Sequence, residues 1–119
     1  MRALRPAVRI LFVDKIDQSG ATAPKIKRLT SGDSPYSVAA DDHILLCDTS
    51  SGAIQVDLPA ISAGARELKV KVDAGSNDVT VDGNAAETID GSATKVLDDA
   101  GRQAATLVTD GTGTNWSML

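Results

Sequence analysis

The chain has 119 residues and a mass of 12.3 kDa, which limits it to one domain and an arm. Hydrophobic residues make up 42% but aromatic ones only 3% (Phe12, Tyr36 and Trp116), so the core must be built from Val, Ile, Leu and Ala. The single cysteine, Cys47, excludes an intrachain disulfide, and no stretch approaches the roughly 20 apolar residues of a membrane span.

The net charge of -4 conceals an asymmetry. Residues 1–30 carry Arg2, Arg5, Arg9, Lys15, Lys25, Lys27 and Arg28 against only Asp14 and Asp17. The remaining residues are strongly acidic. A basic arm on an acidic body predicts that the arm meets an acidic protein surface. Nucleic acid is disfavoured as a partner, because the arm interleaves no aromatic residue except Phe12 and the body would repel phosphate.

In chain order, Met1 to Ala7 reads as irregular, with Pro6 blocking regular pairing. Val8 to Asp14 is rich in β-branched and aromatic residues and predicts a strand, one that could pair with another subunit. Arg9 interrupts the apolar run there, which is too short for a signal peptide, so the sequence reads as a protein folded in a reducing cytoplasm. Residues 17–24 form a linker by composition, and Lys25 to Leu29 a short basic extended segment. Ser31-Gly32-Asp33-Ser34-Pro35 marks a break. The arm and linker are therefore assigned to residues 1–34 and the β domain to residues 35–119.

The body begins with a short strand at Tyr36-Ser37-Val38. His43 to Asp48 reads as a buried strand, and Ala53 to Leu58 alternates as a half-buried one, ended by Pro59. Residues 60–65 predict a loop or a single helical turn. Glu67 to Gly91 is the organising stretch. Leu68, Val70 and Val72 alternate with Lys69, Lys71 and Asp73; Ala74 to Asn77 supplies turn chemistry; Val79 and Val81 resume the alternation. The expectation is a β-hairpin with a third short strand at Thr88-Ile89. Strands at Thr94 to Leu97, Ala104 to Thr109 and Thr114 to Met118 complete the chain. Turn signals recur every 8–12 residues, which indicates an all-β fold: a small antiparallel sandwich, barrel or β-prism with an extended N-terminal arm. Val70, Val72, Val79, Val81 and Trp116 are assigned to the core or to a subunit seam. The thin aliphatic core predicts a homo-oligomer.

Catalytic chemistry finds little support in the residues. His43 is the only histidine and opens a buried strand, where a structural residue oriented by Asp41 or Asp42 is the expected role. One Cys and one His are too few for the usual zinc site. The Asp and Asn residues near 73–78 and 82–87 lack the EF-hand pattern and read as turn-capping residues. Arg66 is expected to pair with a carboxylate of the body. No enzyme activity, cofactor or metal is expected.

An ordered set of short elements carries a resemblance across residues 35–119. It runs from Tyr36-Ser37-Val38 and Asp41-Asp42 through Ile54-x-Val56-x-Leu58-Pro59 to Ala63-Gly64-x-Arg66 and Leu68-x-Val70-Lys71. Asn77-x-Val79-Thr80-Val81, Glu87-Thr88-Ile89-Asp90-Gly91, Leu107-x-x-Asp110-Gly111 and Asn115-Trp116 follow. This resembles a short β domain of bacteriophage structural proteins, especially tail-fibre and head-appendage proteins. The resemblance implies a virion structural role and trimeric assembly, with no catalytic site. It leads to the expectation of a capsid decoration (cement) protein or the base of a head fibre, assembled in the host bacterial cytoplasm and located in the virion. Its partners would be further copies of itself, as a homotrimer, and the major capsid protein or another virion protein; no membrane is involved. Arg2, Arg5, Arg9, Ile10, Phe12, Lys25, Lys27 and Arg28 would anchor it. The alternative is a tail-fibre or baseplate component that binds host-surface glycan.

Overall fold

The computed structural model describes residues 24–98 and 103–119. Ten strands occupy them: β1 (Ile26–Thr30), β2 (Tyr36–Ser37), β3 (Ile44–Thr49), β4 (Ile54–Asp57), β5 (Arg66–Gly75), β6 (Val79–Asp82), β7 (Thr88–Ile89), β8 (Thr94–Leu97), β9 (Ala104–Thr109) and β10 (Asn115–Met118). Single 3-10 turns cover Ser31–Asp33 and Ile61–Ala63, the second where a lone helical turn is expected from the sequence. The predicted Val8–Asp14 strand lies outside the described residues.

Strands alternate between two sheets as the chain advances. The six-stranded sheet has the order β1-β3-β5-β9-β10-β7, and the four-stranded sheet β2-β4-β6-β8. From β1 to β6 each successive pair of strands makes one turn of a flattened coil, and the coils stack. The stacking pairs β1, β3 and β5 in parallel on one side and β2, β4 and β6 in parallel on the other. Only β8 on β6, β9 on β5 and β10 on β9 are antiparallel. The sheets are thus mixed, which corrects the expectation of an antiparallel sandwich.

The organising stretch is also corrected. Its strands form, but β5 and β6 lie in different sheets and do not make a hairpin. The turn residues between them serve as a corner from one layer to the other. Thr49, fully buried at the preceding corner, holds it in place. Its Oγ1 donates to the Ala74 carbonyl (3.1 Å) and accepts from the Asn77 amide (3.1 Å), while Asn77 Nδ2 donates to the Thr49 carbonyl (2.8 Å). Gly75 sits beneath with φ +94°, and a Cβ there would lie 2.3 Å from the Ser50 nitrogen. Only glycine satisfies both demands.

Period-2 alternation places every second residue inward. Stacked coils then align these residues into ladders: Leu29, Cys47 and Val72 in one sheet, Ile54 and Val79 in the other. All five are buried, as are Val70, Val81 and Trp116, in one continuous core. Burying a side chain of this kind stabilises the fold by about 1.5–3 kcal/mol. Cys47 behaves as a small core residue, its thiol pushed up to about 12 by burial and then by the nearby Asp73. Leu29 also belongs to this core, so the body includes β1 and begins before the boundary drawn at residue 34.

Candidate functional site

Two sequence elements that are far apart in the chain meet at the end of the larger sheet. Thr88–Ile89 pairs in parallel with Asn115–Trp116. Asn115 Oδ1 accepts from the Gly91 amide and from the Thr88 hydroxyl, both at 2.8 Å. Asp90 donates its amide to the Trp116 carbonyl (2.9 Å), and its carboxylate accepts from the Met118 amide (3.0 Å). Asp90 adopts φ +47°, a left-handed conformation that Asp tolerates better than most residues. Each polar residue of Thr88-Ile89-Asp90-Gly91 and Asn115-Trp116 that bonds here joins one seam, and Trp116 plugs the core beneath it.

The residues predicted to anchor the protein divide into two sets. Arg2, Arg5, Arg9, Ile10 and Phe12 lie outside the described residues. Lys25, Lys27 and Arg28 lie on or beside β1, and all three engage the body of their own chain. Lys25 Nζ lies 3.2 Å from Asp41 and 3.6 Å from Asp42. Arg28 reaches Asp73 at 2.9 Å, and Lys27 Nζ sits 5.9 Å from the Tyr36 ring centroid. The Arg28 pair is largely exposed, so it contributes little to stability and leaves the guanidinium open to a partner.

A groove of about 640 Å³ opens between the 38–43 loop, the 59–65 segment and the start of β5. Val38, Ala40, Pro59 and Ala63 give it apolar walls, and Asp42, His43, Arg66 and Glu67 its polar lining. Among the described residues, Arg66 pairs with no carboxylate, contrary to expectation. One guanidinium nitrogen donates to the carbonyls of Ala39 and Asp42, both at 2.6 Å, and so fixes the loop. His43 faces Glu67 (Nε2 to Oε1, 3.5 Å) rather than Asp41 or Asp42. Lys69 donates to the other Glu67 oxygen at 3.0 Å, and this bond first, with His43 adding to it, holds the Glu67 carboxyl below its ordinary value. Burial acts to raise the Asp42 carboxyl. Bonds from the Tyr36 hydroxyl (2.5 Å) and the Ala39 amide (2.8 Å), together with the Lys25 ammonium, more than offset it and leave Asp42 below the carboxylate range. These polar groups hold loops together, and among the described residues no Ser, Thr or Cys lines the groove. Among the described residues, no group of three or more His, Cys, Asp or Glu is placed to hold a metal.

No protein-family model matches the chain, and no curated protein matches it either.

The sequence reading missed the Tyr36–Asp42–Arg66 loop lock. The signal available for it was a Tyr six residues before a buried Asp, in a chain with only one Tyr.

Proposed function

We propose that the protein is a structural component of a bacteriophage or phage-like particle: a capsid decoration protein or the base of a head fibre. One observation carries the reading. The Thr88–Gly91 and Asn115-Trp116 elements, among those on which the resemblance to phage appendage domains rests, form one hydrogen-bonded seam over the core. These two elements lie more than 20 residues apart in the chain and still meet. The stacked aliphatic coils suit a scaffold that must hold its shape on a particle surface. The basic segment ahead of β1 supplies the anchor, binding an acidic face of the capsid lattice, and three copies assemble as a homotrimer. The loops that would favour host-glycan binding, at Gly75–Asn77 and Gly83–Asn84, lie at opposite ends of β6 and do not combine into one surface. Asn77 is also engaged in the corner bonds with Thr49.

The test removes residues 1–23 and keeps β1. The truncated protein should remain folded, with a cooperative thermal transition, and yet be missing from purified particles. Incorporation at the level of the full chain would refute the anchor. Light scattering that returns a stable monomer at micromolar concentration would refute the trimer.

A further inference from the structure

The terminal strands are β1 and β7 in the larger sheet and β2 and β8 in the smaller; the outer side of β7 is bridged by Ser92, and among the described residues β1, β2 and β8 have one unpaired edge. Stacked parallel coils are prone to adding another coil at an open end, because the next strand would continue both the hydrogen-bond ladder and the side-chain ladder. The inward ladders show how these ends differ from the middle. In the larger sheet, the row that contains Leu45 and Val70 ends at Lys27 on β1. In the smaller sheet, the row Tyr36, Val56, Val81 ends at Lys95 on β8. A lysine thus stands in the terminal inward position of an otherwise largely aliphatic row in both sheets. Lys27 is observed to turn inward: its ammonium lies 5.9 Å from the ring of Tyr36, which belongs to the opposite sheet and packs on the core.

The other two edges are closed by other means. β2 and β7 are two residues long, and Pro35 stands directly before β2. Neither offers a ladder long enough to template a strand. Only β1, with five residues, and β8, with four, have that length, and these are the two that carry the inward lysine. Ile26 and Val96, on the same two strands, remain 56% and 54% exposed, so apolar contact is available there once the charge is removed.

We propose that the β1 and β8 edges form a latent docking surface for a second copy of this chain, kept shut by Lys27 and Lys95. A copy that paired on either edge would take an ammonium at the end of a largely aliphatic row out of water, which is unfavourable. The proposal concerns edge-to-edge growth and holds whichever particle, if any, the protein joins.

The full-length Lys27→Leu/Lys95→Val double variant tests it by sedimentation velocity across a concentration series. The weight-average mass should rise at least twofold at a concentration where the wild type keeps its own size, and it should continue to rise with concentration. A double variant that is folded, with a thermal midpoint at or above that of the wild type, and that keeps the wild-type mass throughout overturns the proposal. Lys27→Glu/Lys95→Glu retains an inward charge and should stay at wild-type size; growth of this variant also overturns it. If the double variant is recovered only as insoluble protein, the single variants Lys27→Met and Lys95→Met decide: soluble growth in either supports the gate, and wild-type mass in both overturns it.

Discussion

The Tyr36 hydroxyl donates to Asp42 Oδ2 across 2.5 Å and ties the first strand of the smaller sheet to the loop that walls the groove. Burial first, and this bond to Asp42 second, push the Tyr36 hydroxyl up to about 12. An unfolded chain would titrate it near 10. The folded pKa is raised, so this stabilising contribution is complete below pH 10 and is lost as pH climbs from about 10 to about 12. Tyr36 is the only tyrosine, so tyrosinate absorbance reports it alone. The midpoint should fall near 12 in the native protein and move toward 10 in Asp42→Asn. A native midpoint at 10 would contradict the geometry.

Asp42 works in the opposite direction. Its folded pKa is depressed, so its contribution is present above the ordinary carboxylate value and is lost as pH falls through the lower folded value. Thermal midpoints measured from pH 6 down to pH 2 should therefore drop at the acid end, and drop less in Asp42→Asn, whose midpoint is already lower at pH 6. Parallel curves for the two proteins would refute the assignment.

The corner between β5 and β6 predicts a sharp effect at one atom. Gly75→Ala places a Cβ 2.3 Å from backbone atoms of Thr49 and Ser50 at a φ of +94°. Strain alone costs about 1–3 kcal/mol, and the clash adds to it. In a body of this size, 1 kcal/mol shifts the thermal midpoint by roughly 4–8 °C. Thr49→Val should cost about 1–3 kcal/mol by leaving the Asn77 amide without its acceptor. Differential scanning calorimetry checks both. Wild-type midpoints would mean that the corner is not built as described.

Trp116, fully buried at the seam, is the only tryptophan. Its emission should be blue-shifted in the native state and should shift to the red in a single step with urea. Trp116→Ala should cost about 3–5 kcal/mol, read as a lower urea midpoint. Native emission at the solvent-exposed wavelength would place the indole outside the core.

Much of the strand content could be read from the residues. Thr94–Leu97 and Ala104–Thr109 fall where alternation and turn signals place them, and Val70, Val72, Val79 and Val81 are core. Pairing was not legible in the same way. Turn chemistry at Ala74–Asn77 marks a reversal or a corner equally well, and local residues cannot say which; the deciding partner is Thr49, 28 positions before Asn77. One signal did exist. Cys47–Asp57 lies over Val72–Asp82 at a constant offset of 25 residues through most of the pairing, with Asp48, Ser51, Val56 and Asp57 repeated as Asp73, Ser76, Val81 and Asp82. A repeat of that length points to stacked coils. Around the groove, Arg66 bonds to carbonyls, whose positions depend on the fold of the loop and leave no mark in the sequence.

Antibody-gold labelling of intact particles, read in the electron microscope, tests the central claim most directly. The structural role proposed here predicts label spread over the particle head. Label confined to the tail tip would move the protein to host contact, and particles without any label would contradict a place in the virion altogether.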